Sequence, residues 1–293
     1  MKQLLLILNP TAGQKKAAKH LAEIISTFNR AGYDVHTFVT SQRGDATDAV
    51  IKLGTAMDLI VCCGGDGTFN ETITGLIRSG LDIPMGYIPA GSTNDFANSL
   101  KLKTNIAEAT NQIVSGKVCE YDVGIYGDRY FSYVASFGIF TKSSYATPQG
   151  LKNTLGHMAY FLSGITELSK IRKEHVKMEL PDETIEGDYI FGAICNSVSV
   201  GGILTLDPNI VDMRDGKFEI LLVRTPKNLQ ELHEFIVSIL NHTYDCKMIT
   251  FRSASSVKIT TNPDMVWTLD GEKAEGATDI SIENLHCRIK LIH

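Results

Sequence analysis

Over its first 122 residues the chain alternates short aliphatic runs with stretches in which apolar residues recur every three or four positions, the pattern of a parallel sheet covered by helices. Residues 4–8 are apolar without interruption, which predicts a strand buried on both faces. Asn9-Pro-Thr-Ala-Gly13 predicts a turn, and Ala18, Leu21, Ile24, Ile25 and Phe28 then fall at helical spacing within 15–30, closed by Gly32. A strand over 33–40, a helix over 45–53, a strand over 58–63 and a helix over 69–79 repeat the unit. A strand over 85–89 and a helix over 106–115 complete it.

Beyond residue 122 the pattern changes to hairpins. Strand-like runs at 176–180, 188–196, 218–223, 256–261 and 266–269 carry antiparallel signals, as does the turn at 126–130. Two helical stripes interrupt them, one over 151–171 through Leu155, Met158, Leu162, Ile165 and Leu168, the other over 229–240 through Leu232, Phe235, Ile236 and Ile239. The pattern therefore predicts an N-terminal parallel-sheet α/β domain over 1–122 and a C-terminal antiparallel, β-sandwich-like domain over 123–284. A last strand at 287–292, within 285–293, returns to the first domain. Exposed strand edges in the second domain favour a homodimer.

A length of 293 residues suits two domains of ordinary size, and 43% hydrophobic with 21% charged residues is globular. The net charge of −5 excludes sequence-independent nucleic-acid binding as the main task, which would need a basic balance. Six cysteines, at 62, 63, 119, 195, 246 and 287, show no CxxC spacing and suit reduced thiols in a cytoplasmic protein. The apolar run near Met1 stops at Asn9, too short for a signal segment, and no 18-residue apolar window exists to span a membrane.

Against this background the segment Gly64-Gly65-Asp66-Gly67-Thr68-Phe69-Asn70-Glu71 stands out, because it joins a buried strand to a helix. Glycines let the backbone approach an anion, the helix start presents unpaired N–H groups, and Asp66 could reach a metal on the phosphates. The segment fits neither the P-loop nor the GxGxxG spacing. Two further polar loops, 9–13 and 91–95, also follow strands, and with Thr40 at the end of the second strand they would line one crevice outside the carboxyl edge of the sheet. In the second domain, Asp270-Gly271-Glu272 follows a strand, and a carboxylate on such a turn could take a proton from a substrate hydroxyl. The acidic loop 207–217 offers oxygen ligands to a hard cation.

Taken in order, Asn-Pro-Thr-Ala-Gly at 9–13, Gly-Gly-Asp-Gly-Thr-Phe-Asn-Glu at 64–71, Pro-Ala-Gly-Ser-Thr-Asn-Asp-Phe-Ala at 89–97 and Leu-Asp-Gly-Glu at 269–272 resemble the diacylglycerol kinase catalytic-domain family, the bacterial soluble lipid kinases related to sphingosine kinases. The tetrad alone also occurs in NAD kinases and phosphofructokinases, whereas Asn70-Glu71 and the late Asp-Gly-Glu fit the lipid-kinase branch better. The resemblance implies ATP on the first domain, at Asn9, Pro10, Thr11, Ala12, Gly13, Thr40, Gly64, Gly65, Asp66, Gly67, Thr68, Phe69, Asn70 and Ser92, and a lipid site on the second domain across a cleft. It implies catalytic Mg²⁺ organised by Asp66, Glu272 as general base, and a structural Mg²⁺ held by the Asp215 carboxylate and the Asp212 and Lys217 carbonyls. Ser92 stands where threonine is common, and Asp-Met-Arg-Asp-Gly at 212–216 departs from the adjacent acids frequent in relatives.

A lipid alcohol as acceptor implies contact with the inner membrane face without crossing it, and the basic segment 170–177 is a candidate contact with anionic lipid. Two other readings stay open on the residues: a soluble-substrate kinase of the NAD-kinase type, and a nucleotide- or lipid-binding module without catalysis.

Overall fold

The computed structural model describes residues 1–138, 172–200, 204–241 and 243–293. The predicted helix over 151–171, and residues 170 and 171 of the basic segment, lie outside these. The chain divides into two compact units, Met1–Asp122 with Cys287–His293, and Val123–His286.

In the first unit, β1 (Lys2–Leu8), β2 (Tyr33–Val39), β3 (Leu59–Gly64) and β4 (Met85–Pro89) are parallel and stand in the order β2-β1-β3-β4. Leu291 and Ile292 pair in parallel with β4. The uninterrupted apolar runs are the interior strands, with β3 and β4 buried at every position, while β2 at the edge alternates. The chain leaves β1 for β2 on one side and reaches β3 on the other, so the strand order reverses at β1 and β3. In open α/β sheets ligands bind at that switch point.

Helices cover both faces of this sheet. α1 (Lys16–Lys19), α2 (Leu21–Arg30) and α6 (Ile106–Ser115) bury Ala17, Ile24, Phe28, Ile106, Ala109 and Ile113 against Leu4, Leu6, Leu8, Val61 and Ile88. α3 (Asp45–Leu53) and α4 (Asp66–Arg78) pack on each other, and α4 also packs on β3.

Three elements differ from the sequence pattern. The expected helix over 15–30 breaks at His20, whose N–H donates to the Ala17 carbonyl (3.2 Å) and whose ring meets Glu23 (2.9 Å), so that His20 caps α2 instead of continuing α1. α4 begins at Asp66, not at Phe69, because Gly65, in an extended conformation, is already the N-cap, and the Phe69 N–H closes the first turn on the Gly65 carbonyl (3.0 Å). A short helix, α5 (Asp95–Ser99), replaces part of an expected loop.

The second unit is a sandwich of two antiparallel sheets. One contains Glu174–Glu179, Thr184–Tyr189, Ser256–Thr261 and the early part of the last strand, Asp279–Ile292. The other runs Ile249–Ala254, Phe218–Val223, Phe191–Cys195, Val134–Gly138, Trp267–Leu269, Glu272–Ala274. Val176, Met178, Val257, Ile259 and Ile282 from the first sheet meet Phe137, Phe218, Ile220, Leu222 and Trp267 from the second in one apolar cluster.

The run 188–196, expected as one strand, is split at Ile190 because its halves pair in different sheets. Ile249–Ala254 was not expected, since its inner residues Thr250, Arg252 and Ser253 hide the strand pattern at a sheet edge. The last strand begins eight residues before the expected 287 and bends at Cys287 (φ +50), whose N–H donates to Asp122 Oδ1 at 2.7 Å. Residues 174–177 of the basic segment lie in the strand Glu174–Glu179. Among the described residues no helix is long and apolar enough to cross a membrane.

Trp267, wholly buried, touches the rings of Tyr126 and Phe137 at centroid distances of 5.4 and 5.0 Å. Trp267→Ala should therefore lower unfolding free energy by about 3–5 kcal/mol, read from urea denaturation of the full chain.

Candidate active site

At the carboxyl edge of the first sheet the strand ends are locked to one another. Thr40 N–H donates to the Leu8 carbonyl (2.9 Å), Asn9 N–H to Cys63 (2.9 Å) and Ala90 N–H to Gly64 (2.7 Å). The three loops that follow then touch main chain to main chain. A β-carbon on Gly65 would lie 3.1 Å from the Gly91 α-carbon, and one on Gly91 would lie 2.6 Å from the Gly65 α-carbon. One on Gly13 would strike the Ala90 carbonyl. Only residues without side chains allow this approach.

Polar side chains finish the rim. Asn9 donates from Nδ2 to Thr68 Oγ1 (3.0 Å), and its Oδ1 accepts from the N–H and hydroxyl of Thr11 (3.0 and 2.9 Å). Asn94, in the left-handed region at φ +53, folds the third loop by accepting from Gly91 N–H (2.9 Å) and donating to its carbonyl (3.0 Å). Asp45 accepts from the N–H and hydroxyl of Ser41 (2.7 and 2.8 Å) and from Gln42 N–H (3.0 Å). These bonds order the loop after Thr40 and hold the Asp45 carboxyl below its usual range, the Ser41 N–H contributing most.

α4 opens in the middle of this rim. Its N-cap, Gly65, offers no side chain, so the amides of the first turn, from Asp66 to Thr68, point out of the helix start where the dipole is positive. The Asp66 carboxylate sits in the same turn, close enough to Tyr87 that its charge, after burial, is the next cause raising the Tyr87 hydroxyl well above its ordinary value. Helix amides with Asn9, Thr11, Gly13, Thr40 and exposed Ser92 at the loops form a donor set that fits a nucleotide polyphosphate. An acid inside such an anion site suits a hard cation, so the donor chemistry also fits Mg²⁺ at Asp66.

Not every residue of the motif faces outward. Phe69 is wholly buried, stacked on Tyr87 (4.3 Å) and tilted against Phe96 (4.6 Å), so its side chain is core and supports the helix start from below. Glu71, in the same octapeptide, accepts from Gly44 N–H (2.9 Å) and Ala46 N–H (3.3 Å) and so caps α3.

In the second unit, Asp270 (φ +50) and Gly271 (φ +79) form a two-residue turn between Trp267–Leu269 and Glu272–Ala274, in which Leu269 pairs with Glu272. Both positive φ values are those of a type I′ hairpin, which an Asp-Gly pair favours. Asp270 is buried, and its Oδ2 accepts from the Ser132 N–H (2.6 Å) and hydroxyl (2.8 Å), its Oδ1 from Tyr133 N–H (3.0 Å) and Val134 N–H (3.1 Å). Burial pushes its carboxyl up and these donors oppose the shift. Asp270 is thus the clamp of the turn, a role that its local sequence does not reveal. Glu272 stays partly exposed, with Oε2 3.9 Å from Arg129 Nη2.

The acidic loop closes on itself. Asp212 Oδ1 accepts from Arg214 N–H (3.0 Å), Asp215 Oδ1 from Lys217 N–H (2.9 Å), and the Lys217 carbonyl from Asn284 Nδ2 (3.0 Å). The neighbouring Glu219 is buried and its carboxyl is pushed up to about 8, by burial first and then by the charges of Asp215 and Asp212. So dense a group of acids matches the oxygen chemistry of a divalent cation.

The diacylglycerol kinase catalytic domain matches residues 3–126. A diacylglycerol kinase of Bacillus subtilis is 32% identical over 274 residues, covering 93% of this chain and 90% of that protein. One of Staphylococcus saprophyticus is 31% identical over 92% of this chain and 89% of that protein. Among solved structures, a putative diacylglycerol kinase of Bacillus anthracis superimposes with a TM-score of 0.84 at 28% identity, covering all of this chain and 95% of that one.

The two acids of the Asp270 turn should separate by experiment. Asp270→Asn leaves buried donors without a charged acceptor and should cost about 2–4 kcal/mol in urea denaturation, whereas Glu272→Gln on the partly exposed side should change stability by less than about 0.5 kcal/mol.

Proposed function

The chain belongs to the diacylglycerol kinase family, and from that premise we propose that it transfers the γ-phosphoryl group of ATP to the hydroxyl of a lipid alcohol such as diacylglycerol. The observation that carries the reading is the position of Asp66 within the first turn of α4, at a helix start framed by loops that meet through glycine. Main-chain amides there hold the polyphosphate, with Asn9, Thr11, Gly13, Thr40, Thr68 and Ser92 around it. Asp66 is the residue that would hold Mg²⁺, which supplies positive charge to the phosphate oxygens.

In the transfer the acceptor oxygen forms a bond to the γ-phosphorus, the bond from that phosphorus to the β,γ-bridging oxygen breaks, and ADP leaves. Glu272 accepts the hydroxyl proton as general base. The Asp270 clamp serves this role indirectly by fixing the turn from which Glu272 projects. The Asp215 carboxylate and the carbonyls of Asp212 and Lys217 in the acidic loop would hold a second, structural Mg²⁺, which would supply a fixed charge that braces the loop. A lipid acceptor requires the protein to work as a peripheral protein on a membrane surface.

Glu272→Gln should lower kcat by about 100-fold or more while leaving ATP affinity near wild type. Undiminished turnover would remove Glu272 as the base. Asp66→Asn should weaken ATP binding in the presence of Mg²⁺ and leave metal-free binding little changed, measured by calorimetric titration with and without the metal. A screen with γ-labelled ATP against diacylglycerol, monoacylglycerol, a sphingoid base and NAD tests the acceptor class: label on NAD alone would replace the lipid reading by the soluble-substrate one.

A further inference from the structure

The second unit contains a cavity of about 480 Å³, lined by none of the residues of the Asp270 turn, at the point where Phe218–Val223 leads into the helix Leu229–Leu240. Lys173, Arg224 and Lys227 bring three cations to its wall, and Glu186 and Asp188 bring two acids. The acids are already engaged. His175 stands opposite Asp188 on the paired strand, with Nδ1 2.8 Å from Asp188 Oδ1 and Nε2 3.4 Å from Glu186 Oε1. The hydrogen bond to Asp188, foremost, raises the imidazole above its ordinary value. On the wall itself the three cations outnumber the two acids.

The helix that follows does not need those cations or an external anion. Asn228 Oδ1 accepts from Glu231 N–H (2.9 Å), and Glu231 Oε2 accepts from Lys227 N–H (2.7 Å), a reciprocal cap that satisfies the helix start from within. The Arg224 guanidinium lies over the Tyr189 ring, 5.6 Å from its centre, a contact that positions the side chain without using its N–H groups as donors to an oxygen.

Two hydroxyls lie at or behind the wall. Thr225 lines the cavity, and its Oγ1 is buried without a hydrogen-bond partner among the described residues. The Tyr189 hydroxyl is likewise buried and without one, 3.4 Å from where a β-carbon on Gly187, a residue of the wall, would stand. A buried hydroxyl without an acceptor is costly, and an anion oxygen in the cavity would relieve it.

We propose that this cavity is a binding site for a phosphomonoester, held by Arg224, Lys227 and Lys173 with the Thr225 hydroxyl donating to a phosphate oxygen. The group bound is a terminal phosphate, from either the phosphomonoester headgroup of a lipid such as phosphatidic acid or a free phosphate ion. This proposal stands on its own residues and does not depend on the phosphotransfer reading.

The test uses the full chain and no activity assay. Sedimentation with phosphatidylcholine vesicles containing phosphatidic acid should show tighter binding than with phosphatidylserine at equal charge, and Arg224→Ala or Lys227→Ala should each weaken it about fivefold. Lys258→Ala, an exposed lysine elsewhere on this unit, should not. Thr225→Val, which keeps the shape and removes the orphan hydroxyl, should leave the Tm without phosphate unchanged or higher and reduce the rise in Tm caused by inorganic phosphate. Loss of the phosphate-induced rise in the variants with unchanged vesicle binding identifies the free ligand, and the converse identifies the lipid headgroup. The proposal is overturned if folded variants match wild type in both measurements, or if Lys258→Ala reduces the response to phosphate and the vesicle binding as much as Arg224→Ala does.

Discussion

The rim at the carboxyl edge of the first sheet depends on the direct approach of three loops through their main chains. Gly65 against Gly91 and Gly13 against the Ala90 carbonyl bring the ends of β1, β3 and β4 so close that no side chain separates them. With the loops this tight, the amides at the start of α4 can share one anion with the neighbouring turns, and the polar rim of Asn9, Thr11 and Thr68 follows as hydrogen bonding between loops already in contact. A β-carbon at any of the three glycines would push the loops apart before it touched any ligand.

How much of this was legible in the sequence varies with the range of the interaction involved. β1, β3 and β4 could be read because strands buried on both faces need unbroken apolar runs, and the Asp270-Gly271 turn could be read because only a few residue types accept two positive φ values in succession. The Gly65 to Gly91 contact and the Asp270 clamp could not, since each joins segments far apart in the chain. Asp270 and its donor Ser132 are separated by 138 residues. The break at His20 was missed for a different reason: the apolar spacing of 18, 21, 24, 25 and 28 continues across it, and only a local pairing with Glu23 reveals the cap.

Phe69 and Glu71 show why a motif read as a block overstates the number of ligand contacts. Both belong to the same octapeptide as Asp66, yet the helical turn points Phe69 into the core against Tyr87 and Phe96, and sends Glu71 sideways to the amides of Gly44 and Ala46. One helix start therefore presents its own anion site, anchors itself below and fixes the adjacent helix α3, whose first turn follows the loop that carries Thr40. Substitution of either residue would disturb the helix start and the loop beside it from within the fold.

The same sorting explains why two acids separated by one residue have different parts in the second unit. A carboxylate that accepts four hydrogen bonds from Ser132, Tyr133 and Val134 is committed to holding the turn, and its oxygens are occupied by donors that would have to be released before it could take a proton. Glu272 follows the two positive-φ residues, at the first position of the returning strand, where its side chain remains partly exposed and is bordered by Arg129 at 3.9 Å. Of the pair, only the outer acid keeps its carboxylate clear of the hydrogen bonds that hold the turn. The hairpin thus gives its two acids different places, Asp270 clamped inside and Glu272 partly exposed.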